Sequence, residues 1–133
     1  MSEMFRRYLL RFNAVFLVLA ALGAWFTMDF PASFAGTGPL APLIAHERSL
    51  GIAFVEAHGL ALIFGVLLWS AGAGRRWHLT AASIHLLLGG SNLVFWHLFV
   101  ATNTLPMGYV TTAVHGLLFV LQAAAALSAS ARR

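Results

Sequence analysis

The side chains able to do chemistry in this chain are few, and most are histidines. His58 and His115 stand out, because each is followed by Gly-Leu: "AHGL" at 57–60 and "VHGL" at 114–117. Two imidazoles from facing membrane helices can ligate the iron of haem b axially. With His97 as a third imidazole and Glu56 as a carboxylate, the set His58, His97, His115 and Glu56 suits zinc, copper or iron. The helical rise of about 1.5 Å per residue converts position to depth. It places His58 about 12 Å, His115 about 10 Å, Glu56 about 9 Å and His97 about 6 Å below the outer ends of their apolar runs, and Asn92 near 13 Å. Polar groups from three helices therefore fall in one outer layer, with Asn92, Thr111 and Gln122 as further pocket lining.

The alternative for each residue is structural. A single histidine in a membrane helix is commonly a helix–helix hydrogen bonder. His85 reads that way, His46 and His78 read as loop or interfacial residues, and Glu56 points about 200° from His58 around an ideal helix. Helical spacing sorts the polar residues into stripes. Gly108, Thr111, His115, Gln122 and Ala126 share one face, as do His78, His85, Gly89 and Asn92; Ser83, Gly90 and His97 make a second face on the same segment. Lipid cannot satisfy these groups, so the stripes must face protein. No nucleophile constellation or phosphate loop appears, so no catalytic motif is assigned. With no cysteine, disulfides and thiolate metal sites are excluded.

The elements that position these residues follow from composition. Of 133 residues, 60% are hydrophobic and 9% charged. Four apolar runs, about 9–28, 50–72, 79–101 and 109–129, each reach the roughly 20 residues a bilayer core requires. The expected architecture is all-α: a four-helix up-down membrane bundle in a single domain. All eight basic residues are arginine. Arg6, Arg7 and Arg11 precede the first run, Arg75 and Arg76 sit in the second loop, and Arg132 and Arg133 close the chain. That distribution puts both termini in the cytoplasm and favours membrane orientation over nucleic-acid binding. The first run is too long for the core of a cleaved signal peptide and is expected to be retained. Pro31, Gly36, Gly38, Pro39 and Pro42 are expected to break any helix in the first outer loop. The second helix is expected to begin outside the bilayer at His46–Arg48, which would place Glu47 and His58 on one face. Trp25, Trp69, Trp77 and Trp96 fall near run ends, as an aromatic belt requires. The repeated "HGL" hints at two related hairpins.

Four spans, "RYLLRF" entering the first and the "GRRW" inner loop are features in which the chain resembles the small bacterial four-helix membrane proteins of the DoxX-like type. The resemblance implies a multi-pass protein of the bacterial inner membrane and leaves its function open. The sequence reading is then a membrane protein with an outward-biased histidine pocket, holding haem or a transition metal through His58 and His115 in a redox-accessory role. The alternative is a cofactor-free accessory subunit or a lipid- or quinone-pocket protein. Expected partners are membrane lipids, an apolar small molecule, and other copies of the chain or a larger membrane complex.

Overall fold

The computed structural model describes residues 1–130; Arg132 and Arg133, assigned above to the cytoplasmic end, lie outside the described residues. The described residues are mainly helical, with no strand among them. The elements are α1 (Glu3–Ala24), a π-helical turn (Trp25–Asp29), α2 (Phe30–Ala35), α3 (Ala41–His46), α4 (Ser49–Ser70), α5 (Arg75–Val94), α6 (Trp96–Ala101) and α7 (Leu105–Ser130). Among the described residues, three stretches are long and apolar enough to cross a membrane: Glu3–Ala35, Ser49–Ser70 and Leu105–Ala129. Their surfaces suit that role. Phe12, Leu19, Phe26, Ile52, Leu60, Val66, Val110, Leu117 and Val120 all face outward.

Ser2 starts α1, its hydroxyl accepting from the Phe5 backbone N–H at 3.2 Å, and Glu3 sits in the first turn, where the helix dipole favours an anion. At this end Arg6 is buried, donating from Nε to the Ala73 carbonyl at 3.2 Å and from a terminal nitrogen to the Met1 carbonyl at 3.1 Å. The short α4–α5 loop is thereby tied to the N-terminus.

The segment expected to form the first outer loop differs from expectation. Pro31 does not break the helix, and the helical stretch runs on to Ala35. The reason is the π turn. The Phe30 N–H bonds the Trp25 carbonyl five residues back, and the wider turn accommodates Pro31 at the start of α2, where a missing N–H is least costly. Gly36 then ends the helix at φ 64°, with the Gly36 and Thr37 N–H groups both donating to the Pro31 carbonyl. Pro42 opens α3 in the same permissive position.

Nor does α4 begin at His46. Glu47 is extended (φ −139°, ψ 98°) and separates α3 from α4. Its carboxylate accepts from the Ser49 N–H at 3.1 Å and the Ser49 hydroxyl at 2.7 Å. These bonds hold the Glu47 carboxyl below its ordinary value, the Ser49 hydroxyl contributing most. Glu47 is thus a capping residue and does not share a helix face with His58.

The third apolar run is interrupted. α5 stops at Val94, Phe95 adopts φ −101°, ψ 28°, and α6 continues only to Ala101. α6 folds back on the start of α7. Gly108 lies so close that an added Cβ would sit 2.8 Å from Phe99 Cγ, and Trp96 packs edge-on to Tyr109 with centroids 4.9 Å apart.

α5 packs along α7, and α1 packs along α4; α1 also touches α5 and α7, while α4 and α7 do not pack along each other among the described residues. The main apolar core, Leu10, Ala14, Leu17, Leu68 and Ala81, lies at this junction. A smaller cluster of Ala32, Leu40 and Ile44 closes the end formed by α2 and α3. Gly65 makes the α1–α4 approach possible: a Cβ there would meet Val18 Cγ2 at 2.8 Å and the Ala14 carbonyl oxygen at 3.0 Å. Small residues at such crossings let backbones approach where no hydrophobic drive separates protein from lipid.

Candidate functional site

Polar side chains cross the helix seams in a regular order. Along α5, His78, His85 and Asn92 recur every seven residues, two helical turns, and so point the same way. On antiparallel α7 they meet Gln122, His115 and Thr111. His78 Nδ1 lies 2.6 Å from Gln122 Oε1, His85 Nδ1 lies 2.9 Å from His115 Nδ1, and Asn92 Nδ2 donates to Thr111 Oγ1 at 3.1 Å. The rungs are spaced by about 10 Å or less.

The first two rungs reach α1. Gln122 Nε2 donates to the Leu9 carbonyl at 3.5 Å. His85 Nε2 lies 2.5 Å from Asn13 Oδ1. Because an amide oxygen only accepts, His85 must donate from Nε2. In the neutral ring its Nδ1 then accepts, and His115 donates from Nδ1. The hydrogen bonds fix both tautomers, and Phe16 of α1 packs against both rings with centroids 6.3 and 6.1 Å away. His78, His85, Gln122 and Asn13 are all buried. Two atoms of the ladder, Asn13 Nδ2 and His78 Nε2, are buried without a partner among the described residues.

A separate pair joins α1's π turn to α4. His58 Nδ1 lies 2.6 Å from Asp29 Oδ2. The Asp29 side chain is 0% exposed and that of His58 33%. Asp29 Oδ1 is buried and has no partner among the described residues. Trp25, in the same π turn, donates from Nε1 to the Val55 carbonyl at 3.1 Å.

The residues singled out from the sequence therefore fall into different places. His58 and His115 are not brought together: His58 sits on α4 beside Asp29, His115 sits on α7 beside His85, and α1 is the helix that packs against both groups. Equal depth on α4 and α7 does not make a contact, because α4 packs along α1 and α7 along α5, and α5 sets His85 opposite His115 before it stops at Phe95. That stop also leaves His97 on α6, exposed and ring-packed only on Phe95 at 6.3 Å. Glu56 is exposed on another face of α4. Consequently, no group of three or more His, Cys, Asp or Glu converges to hold a metal among the described residues. The four proposed metal ligands do not fit one ion. Asn92, Thr111 and Gln122 do line the interior, as rungs.

Asp29 and Asn13 are drawn into the interior by contacts that sequence spacing does not show. Asp29 ends a long apolar run, and a carboxylate there signals an interior partner once the helix is known to continue past Pro31. Comparison with known proteins finds no matching family model, no matching curated protein and no matching solved structure.

Proposed function

We propose that this chain is a four-span protein of the bacterial inner membrane, with both termini cytoplasmic, in which the inner histidines act as interhelical clamps in a cofactor-free accessory subunit. The observation that carries this reading is the ladder. Every histidine of α5 is bonded to a side chain of α7, and two of the three rungs are bonded onward to α1. Such groups, placed between helices in lipid, hold helix pairs in register at about 0.6–1.7 kcal/mol each. The arginines before α1 and in the α4–α5 loop support the orientation. α5 supplies the fourth span in this reading. Its polar ladder lowers its apolarity, while Leu79, Leu86, Leu87, Leu93 and Val94 give it an outward lipid-facing surface.

The competing reading places haem or a transition metal on His58 or His115. It is supported by one feature: each ring commits Nδ1 to a protein partner and leaves Nε2 without a hydrogen bond among the described residues, as metal-bound imidazoles do. Visible absorption and metal analysis of protein purified in detergent, after growth with both haem and metal supplied, decide between the two. The clamp reading expects no Soret band, substoichiometric metal and the same thermal midpoint with or without a chelator. A Soret band, or bound metal, that His58→Ala or His115→Ala abolishes would overturn it.

A further inference from the structure

The Asp29–His58 pair is not part of the ladder, and its charge balance determines what it can bind. With a carboxylate and a neutral imidazole the pair would carry a full negative charge, in a place where Asp29 is fully buried and one of its oxygens has no partner among the described residues. An uncompensated charge in that setting is costly. Electroneutral arrangements avoid it. In one, a carboxylate accepts from a doubly protonated ring. In a second, a carboxylic acid donates from Oδ2 to Nδ1 of a neutral ring. Both place a hydrogen on His58 Nε2. A third would protonate Oδ1, but that O–H would be a buried donor with no acceptor, a defect that folded proteins seldom tolerate. The 2.6 Å separation suits the first two, since charge-assisted bonds are short.

His58 Nε2 therefore presents an N–H. It has no acceptor among the described residues, and it is not among the buried unpartnered atoms, so it is open to its surroundings. An open groove of about 1000 Å³ lies at the outer end of the same seam. Ala32 and Val55 line it. Asp29 lies one helical turn inward of Ala32, and His58 one turn inward of Val55, about 5 Å. The groove walls are mostly apolar, and their charged members, Arg48 and Glu56, are of opposite sign and form no ion pair with each other. That balance suits a neutral occupant better than an anion.

We propose that the Asp29–His58 pair is a binding site for a neutral, apolar-bodied molecule bearing a carbonyl oxygen, which accepts a hydrogen bond from His58 Nε2. The acceptor is either the ester carbonyl of a membrane acyl lipid or the ketone carbonyl of a small membrane-dissolved compound; the hydrogen-bond chemistry is the same. The proposal rests on the cofactor-free reading, because a metal on His58 would occupy Nε2.

The test uses the full chain in nanodiscs and carbonyl-¹³C-labelled methyl decanoate or 2-undecanone. Infrared spectra read the labelled C=O stretch, which falls when the oxygen accepts a hydrogen bond. The expected result is a downshifted band that saturates at one equivalent for at least one probe. It should be reduced at least fivefold in His58→Phe and retained in part in His58→Gln, whose amide keeps a donor. A band with the ester alone assigns the site to acyl lipid, and one with the ketone alone to a free carbonyl compound; either supports the proposal. Absence of a saturable band in the wild type, or a band undiminished in His58→Phe, overturns it. Should His58→Phe fail to fold, competition decides: the unlabelled form of whichever probe gives the band must displace it and dodecane must not, and displacement by dodecane overturns the proposal. Stoichiometric metal in the same sample would instead mark failure of the cofactor-free reading.

Discussion

Replacing Gly65 with alanine tests the close approach of α1 and α4. The added Cβ would lie 2.8 Å from Val18 Cγ2, 3.0 Å from the Ala14 carbonyl oxygen and 3.2 Å from the Val18 backbone nitrogen. Comfortable separations between non-bonded heavy atoms are about 3.5–4.0 Å. The Val18 methyl can rotate aside, but the two backbone atoms cannot move without displacing α1. Relief therefore requires α1 and α4 to separate by roughly half an ångström, and overpacking of this kind costs about 1–3 kcal/mol. Alanine also gains helix propensity over glycine, about 1 kcal/mol, which would mask part of the loss. Gly116→Ala supplies the control, because it takes the same gain and a Cβ there meets nothing within 4 Å. Unfolding of both variants by sodium dodecyl sulfate in mixed micelles, followed by circular dichroism, should place Gly65→Ala below Gly116→Ala by about 1–3 kcal/mol. A difference under about 0.5 kcal/mol, the scatter of inconsequential surface changes, would refute the described α1–α4 approach.

Other outcomes follow from individual contacts. The chain lacks cysteine, and a Cβ at Gly89 would lie 3.1 Å from His115 Cβ, close to the range a disulfide spans. Gly89→Cys combined with His115→Cys should therefore cross-link under mild oxidation, and failure to do so, read by mobility after cleavage between α5 and α7, would contradict the register. The Glu47 carboxyl is held below its ordinary value of 4.5 by Ser49, so its capping of α4 is complete above that ordinary value and is lost as pH falls through the lowered one. The Ser49 amide proton resonance should titrate with a midpoint below 4.5, and a midpoint at or above it would count against the cap. Glu56 is exposed and makes no ion pair among the described residues, so Glu56→Gln should leave the unfolding free energy in mixed micelles unchanged within about 0.5 kcal/mol, and a larger loss would point to a partner for the carboxylate. Trp25→Phe should cost about 0.5–1.5 kcal/mol by removing the bond to the Val55 carbonyl, and an unaltered unfolding curve would deny that bond.

Helical class and apolar segments were legible in the sequence because both depend on local composition. The polar stripes of α5 and α7 were legible too: His78, His85 and Asn92 on one helix, His115 and Gln122 on the other, follow from the period of the helix alone. What composition could not supply was pairing. Which stripe meets which depends on where each helix ends, and Phe95 carries no turn residue to announce that α5 stops there. Equal depth matched His115 to His58, whereas α7 lies along α5 and meets His85 there. Asp29 was hidden for a similar reason. A proline two residues later reads as the end of a helix, and a π turn that absorbs it has no sequence signature. Glycine gave a mixed signal: Gly65 marks a close crossing, whereas a Cβ at Gly116, in the repeated "HGL", would meet nothing within 4 Å.

The His85–His115 bond is the contact on which the clamp account rests most directly. A double-mutant cycle with His85→Leu and His115→Leu, measured by unfolding in mixed micelles, reads the coupling between the rings directly. The clamp account predicts a coupling of about 0.6–1.7 kcal/mol for that pair and none, within about 0.3 kcal/mol, for the cycle of His58→Leu with His115→Leu. Zero coupling between His85 and His115, with measurable coupling between His58 and His115, would contradict it.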